Sequence, residues 1–107
     1  MDIRITVRKL DDKDGVRAYA EARLASALER FEDRVKDVAV RLEDLTGPTH
    51  HGADKRCRID VALKPAGQVL IDEVGDEIRA AIALAIDRLR AAISREAGKR
   101  KRGVGRG

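Results

Sequence analysis

Three features of the sequence predict an α+β fold of order β-α-β-β-β-α, with two helices packed on one face of a four-stranded sheet. Short segments alternate apolar and polar residues, cleanly in three cases and less so in a fourth. Two long segments carry one apolar stripe each at helical spacing. A Pro65-Ala66-Gly67-Gln68 reversal joins the last two strands as a hairpin. The 107 residues are enough for one domain with a single modest core.

In the first strand Ile3, Ile5 and Val7 alternate with Arg4, Thr6 and Arg8. Asp11-Asp12-Lys13-Asp14-Gly15 reads as a turn in which Asp12 or Asp14 caps a helix. That helix is expected from about Gly15 to Arg34, with Val16, Ala20, Leu24, Ala27, Leu28 and Phe31 as its stripe. Tyr19, Arg23, Ser26, Arg30 and Arg34 fall along one flank, and Glu21, Glu29 and Glu32 on the opposite side. Val38, Val40 and Leu42 mark the second strand. Thr46 to Asp54 reads as a loop, and Arg56–Lys64 as the third strand, with Cys57, Ile59, Val61 and Leu63 pointing one way. Val69–Val74 is the fourth strand.

The last helix starts at Gly75-Asp76 and presents Ile78, Ile82, Ala85, Ile86, Leu89 and Ile93 to the core. A strand, a helix and a strand in succession imply a right-handed crossover and a parallel pair. The remaining strands form an antiparallel meander. Both helices then cover one face, leaving Arg4, Arg8, Arg41, Arg56 and Arg58 on the other, with Glu43 and Asp60 among them.

Charge divides the chain. The net charge is +4, yet five of the 23 Lys and Arg residues lie from Gly98 onward with no acid; the 18 that remain face 19 Asp and Glu. Residues 1–97 are therefore expected as the folded domain, and 98–107 as a basic tail that is disordered in isolation. The nearly neutral body can meet a polyanion only through segregated charge. Tyr19 and Phe31 are the only aromatics, which argues against stacking single-strand readers and is compatible with binding of shape and phosphate.

No apolar run approaches the roughly 20 residues of a membrane span, and Met1-Asp2-Ile3-Arg4 lacks the pattern of a signal peptide. One cysteine, Cys57, cannot form an internal disulfide, so a reducing cytoplasm is the expected location.

No catalytic set, cofactor motif or small-molecule site emerges. His50, His51 and Cys57 would bring three metal-type ligands near one loop, but they match no compact zinc spacing, and Cys57 falls on the apolar side of its strand. A metal-binding protein or small enzyme centred there is the weakest alternative. What remains is basic residues on helix margins. Arg88 and Arg95 stack on one flank of the last helix, Arg79 and Arg90 on the other. Arg23 and Arg30 repeat the seven-residue spacing on the first helix. With Lys99, Arg100, Lys101 and Arg102 they are the candidate RNA-binding residues, set to track phosphates across a groove.

Glu77-Ile78-Arg79-Ala80-Ala81-Ile82 and the later Ile86-Asp87-Arg88-Leu89, with Tyr19, Arg23, Leu24, Phe31 and Asp33 in the first helix, carry a resemblance. The chain resembles the ribosome hibernation promoting factor and ribosome-associated inhibitor proteins of bacteria, over Ile3 to about Arg95. It departs from the family pattern at Arg79, where Tyr is usual, and at Val7, Ala83, Ala91-Ala92 and the longer 46–55 loop.

The resemblance implies a fold similar to a double-stranded-RNA-binding domain with an extra strand. It also implies a non-enzymatic, stress-response translation inhibitor of the short form, bound to rRNA in the mRNA–tRNA channel of the small ribosomal subunit. Arg23, Arg88 and Arg95 match the family's rRNA-facing basic positions, and Arg30 lies one residue out of register. A general duplex-RNA-binding module without ribosome specificity is the alternative.

Overall fold

The computed structural model describes residues 1–46 and 54–105, with side chains described as far as Glu96. In chain order it forms β1 (Asp2–Arg8), α1 (Lys13–Leu28), a 3-10 turn (Glu29–Phe31), β2 (Val35–Asp44), β3 (Lys55–Leu63), β4 (Gln68–Gly75) and α2 (Ile78–Gly105). The strands lie in the order β1-β2-β3-β4. β1 and β2 are parallel, and the other neighbours antiparallel, as the crossover and the hairpin require.

Strand register turns the sequence alternation into continuous apolar rows. Ile5 pairs with Val40, Val40 with Ile59, and Ile59 with Ile71; one step along, Ile3, Val38, Val61 and Val69 make a second row. A third row, Val7–Leu42–Cys57, ends at Glu73 instead of an apolar residue. That acid breaks the alternation of β4 in the sequence. The rows are covered by Val16, Ala20, Leu24 and Leu28 of α1 and by Ile78, Ile82, Ala85, Ile86, Leu89 and Ile93 of α2, all buried. Ala81 and Ala92 join them, so the buried stripe of α2 is wider than the branched residues alone indicate.

The helix ends differ from their expected positions for identifiable reasons. α1 is capped by Asp12, whose carboxylate accepts from Gly15 N at 3.2 Å. A Cβ on Gly15 would stand 2.1 Å from that carboxylate, so only glycine leaves the cap room. α1 stops at Leu28 rather than at Arg34. The chain tightens into the 3-10 turn, buries Phe31, and Arg34 N donates to Phe31 O at 2.8 Å.

β2 accordingly starts at Val35, fully buried opposite Leu63, with a register irregularity before Asp37. The irregularity interrupts the period of two, which is why the alternation is visible only from Val38. α2 begins at Ile78 because Glu77 caps it, accepting from Arg79 N at 3.1 Å and Ala80 N at 2.8 Å. Its helical backbone runs through Gly98, the expected boundary of the folded domain, as far as Gly105. A glycine inside a helix costs about 1 kcal/mol but does not terminate it.

At the base of the 47–53 segment lies a charged clamp that periodicity could not reveal. Asp44 and Asp54 are 2% and 4% exposed. Lys55 Nζ sits 2.7 Å from Asp54 and 3.3 Å from Asp44. Thr46 Oγ1 donates to Asp54 at 2.6 Å, and Leu45 N to Asp54 O at 2.8 Å. The Lys55 hydrogen bond, then that of Thr46, holds the Asp54 carboxyl below its ordinary 3.8. The Asp54 hydrogen bond likewise holds the Lys55 ammonium above 10.5.

Two stability predictions follow from this packing. Leu89 is fully buried, so Leu89→Ala should cost about 2–5 kcal/mol in a denaturant titration; an unchanged midpoint would mean the apolar face of α2 is misassigned. Asp54 has a depressed folded-state pKa, so its contribution is present above 3.8 and lost as pH falls through the lower folded value. Lys55 contributes below 10.5 and loses its effect as pH rises through the higher folded value. Asp54→Asn should therefore melt below wild type by a constant margin through the neutral range, with the gap closing below about pH 4. Parallel acid limbs for the two proteins would contradict the clamp.

Candidate nucleic-acid interface

The apolar stripes of α1 and α2 face the sheet, so the margins of the two helices meet along a seam. Ala22, Arg23, Ser26 and Ala27 from α1 and Ala83, Ile86, Asp87 and Arg90 from α2 line a groove there of about 400 Å³. Half of the lining side chains are small (Ala22, Ser26, Ala27 and Ala83), and α1 contributes Arg23 and α2 Arg90. Along the seam, the Arg23 guanidinium lies 5.0 Å from the centre of the Tyr19 ring, and that of Arg79 lies 5.6 Å from the same centre. Arg79 also donates to the Asp12 carboxylate at 3.4 Å, which ties the start of α2 to the cap of α1. Arg30 rests over Phe31 at 4.9 Å.

The kind of partner matters to a cation. A carboxylate cancels a guanidinium's charge locally, whereas an aromatic face orients the guanidinium and leaves the charge in place. Arg23, Arg30 and Arg90 have no ion pair among the described residues. Arg79 has one, across an exposed 3.4 Å contact with its side chain 42% exposed. Of the arginines expected on the helix margins, the structure brings Arg23, Arg79 and Arg90 to one seam, with Arg30 beyond them on the 3-10 turn.

Arg88 and Arg95 fall on the other margin of α2. Arg88 Nη1 lies 2.8 Å from Glu73 Oε2, the acid that breaks the apolar row of β4. It therefore fastens α2 to the edge strand, while its side chain remains 60% exposed. Arg95 is exposed without an ion pair among the described residues. The side chains of Lys99, Arg100, Lys101 and Arg102 lie outside the described residues, although the backbone there continues α2.

Tyr19 is placed on the α1 flank by its spacing, but no sequence signal shows that Arg79, sixty positions later, shares its ring. The same holds for the pairing of Glu73 with Arg88. His50 and His51 lie outside the described residues. Cys57 is fully buried under the helices. Burial, then the charges of Asp72 and Glu73, push its thiol up to about 12. A thiol in that state is neutral at physiological pH and is a poor nucleophile. Among the described residues no cluster of three or more His, Cys, Asp or Glu is arranged to hold a metal ion. No described helix is long and apolar enough to cross a membrane.

Comparison with known proteins comes from sequence and from shape. Residues 3–101 match the family described as sigma 54 modulation protein / S30EA ribosomal protein. The crystal structure of the Thermus thermophilus Protein Y N-terminal domain is 31% identical in sequence. It superposes with a TM-score of 0.70, the match covering 89% of this chain and 98% of that one. A ribosomal subunit interface protein from Coxiella burnetii shares the fold at 15% identity, with a TM-score of 0.74 over 92% of this chain and 99% of its own. No curated protein matches the chain.

The state of Cys57 is directly measurable. Native protein should fail to react with a thiol-specific reagent at mildly alkaline pH, while protein unfolded in guanidinium reacts at once. Fast labelling of the native chain would place the thiol outside the core.

Proposed function

From the premise that this chain belongs to the sigma 54 modulation protein / S30EA ribosomal protein family, we propose that it is a non-enzymatic ribosome-binding factor of the cytoplasm. Its action is to hold ribosomes in an inactive, hibernating state. It occupies the mRNA–tRNA channel of the small subunit and takes its affinity from rRNA phosphates. Arg23, Arg79 and Arg90 at the helix seam make the central contacts, with Arg30 at one end. Arg88, Arg95 and the basic segment Lys99–Arg102 extend the reach of α2.

One observation carries this reading: arginines from both helices converge on a shallow groove in a body whose total charge nearly cancels. Guanidiniums present a planar fork that matches phosphate oxygens, and those oriented on Tyr19 lose little further freedom on binding. The small residues between them let a nucleic-acid backbone approach closely. Phosphate contacts of this kind fix position and carry no base sequence, which suits a protein with two aromatics and no stacking platform. Membership of a family of S30EA ribosomal proteins is consistent with a partner of this class.

Co-sedimentation with purified small subunits over a salt series tests the reading. Binding should weaken steeply with salt, and Arg23→Glu with Arg90→Glu should lower affinity by more than about tenfold and flatten the salt slope by about 2. Arg88→Glu with Arg95→Glu should weaken it less, because Arg88 is already engaged by Glu73. Unchanged binding in the first double variant would remove the seam from the account. Equal affinity for an arbitrary RNA hairpin would make the protein a general duplex-RNA-binding module instead.

A further inference from the structure

The face of the sheet turned away from the helices carries a concentration of unpaired positive charge. Arg41 of β2 and Arg58 of β3 are register partners, and both are exposed. Residues facing each other across antiparallel strands bring their Cβ atoms to about 5 Å, where like charges repel. The next row along shows the usual solution: Arg56 lies 3.1 Å from Asp72 and 3.7 Å from Glu43. Asp72 is the register partner of Arg58, yet its ion pair goes to Arg56. The side chains of Arg41 and Arg58 have no ion pair or hydrogen bond among the described residues. Arg4 and Arg8 of β1, also exposed, flank them on the same face.

Between these charges the sheet is hollowed. Thr6, Ala39, Val40, Arg41, Arg58 and Asp60 line a depression of about 300 Å³, opened by the short side chain of Ala39. Two forked cations and a hydroxyl donor on adjacent strands suit the oxygens of a phosphodiester. Asp60 at the rim, held by Gln68 Nε2 at 2.6 Å, adds an acceptor of the kind a ribose 2′-hydroxyl requires. A purely anionic ligand would be repelled by that carboxylate; a sugar–phosphate backbone uses both.

We propose that this depression binds the sugar–phosphate backbone of RNA, so that the protein grips RNA on its sheet face as well as at the helix seam. The proposal rests on the reading that the partner is RNA, but uses none of the residues of the seam. It also explains why a like-charged pair is tolerated in mid-sheet: the anion that binds there neutralises it.

The test compares wild type with two double variants, Arg41→Gln/Arg58→Gln and Arg23→Gln/Arg90→Gln. Each is titrated against a fluorescently labelled short RNA duplex, against protein-free rRNA of the small subunit, and against whole small subunits, over a potassium chloride series. The sheet variant should bind the duplex about tenfold more weakly at low salt, with a salt slope smaller by about 2. It should melt no lower than wild type, because the repulsion is gone, so a folding defect is not the cause. Wild-type affinity and slope in the sheet variant would overturn the proposal. Weaker binding to subunits with unchanged binding to protein-free rRNA would assign the face to an acidic protein and would equally overturn it. If only the seam variant loses binding, the sheet site fails and the preceding reading stands; if only the sheet variant does, the reverse holds.

Discussion

Two rows of apolar side chains, Ile3–Val38–Val61–Val69 and Ile5–Val40–Ile59–Ile71, run unbroken across all four strands. The need to cover them places everything else. Only one face of the sheet carries such rows, so both helices must lie on that face, side by side. Burying the leucines, isoleucines and valines of the sheet and both helices in one contiguous core is the main favourable contribution to folding. Side-by-side helices necessarily create a seam, and whatever residues flank the two stripes must meet there. The proposed RNA-binding surface is thus a by-product of how the core closes, fixed by the phase of each stripe relative to its flanking charges.

Electrostatics then sorts the arginines into those that hold the fold and those left free. Glu73 interrupts an apolar row at the sheet edge, and a largely covered carboxylate needs a partner; Arg88 supplies it from α2. Arg56 is shared between Glu43 and Asp72. Lys55 is held between Asp44 and Asp54 at the neck of the 47–53 segment. These cations are structural. Arg23 is oriented on an aromatic ring, while Arg90, Arg41 and Arg58 have no ion pair among the described residues. Their charge faces solvent on two sides of a thin domain. A body near neutrality overall can in this way present two locally positive surfaces to a polyanion that surrounds it.

Element order, strand pairing, register face and the α2 stripe were legible because periodicity in Ile, Val and Leu reports directly on burial. The boundaries that moved did so where local geometry departs from a regular period. The 3-10 turn around Phe31 ended α1 early, and the irregularity between Val35 and Asp37 hid the start of β2. Grouping of the site was half legible. Helical phase separates Arg79 and Arg90 from Arg88 and Arg95, but it cannot say which flank faces α1. Nor can it show Tyr19 joining Arg23 to Arg79, or Glu73 engaging Arg88, since those contacts join residues far apart in the chain. The clamp of Asp44, Asp54 and Lys55 was illegible for the same reason: three charged residues beside a loop carry no signal of burial.

The central claim is that the seam between α1 and α2 faces ribosomal RNA, and tethered-probe cleavage reads this most directly. Cys57 is buried, so a cysteine introduced at Ser26 in the groove can be labelled alone with an iron chelate that releases hydroxyl radicals. Bound to small subunits, this protein should cut rRNA strands lining the mRNA–tRNA channel, while a probe at Glu21, on the exposed back of α1, should cut them far less. Cleavage from Glu21 with none from Ser26 would mean that the seam points away from the RNA.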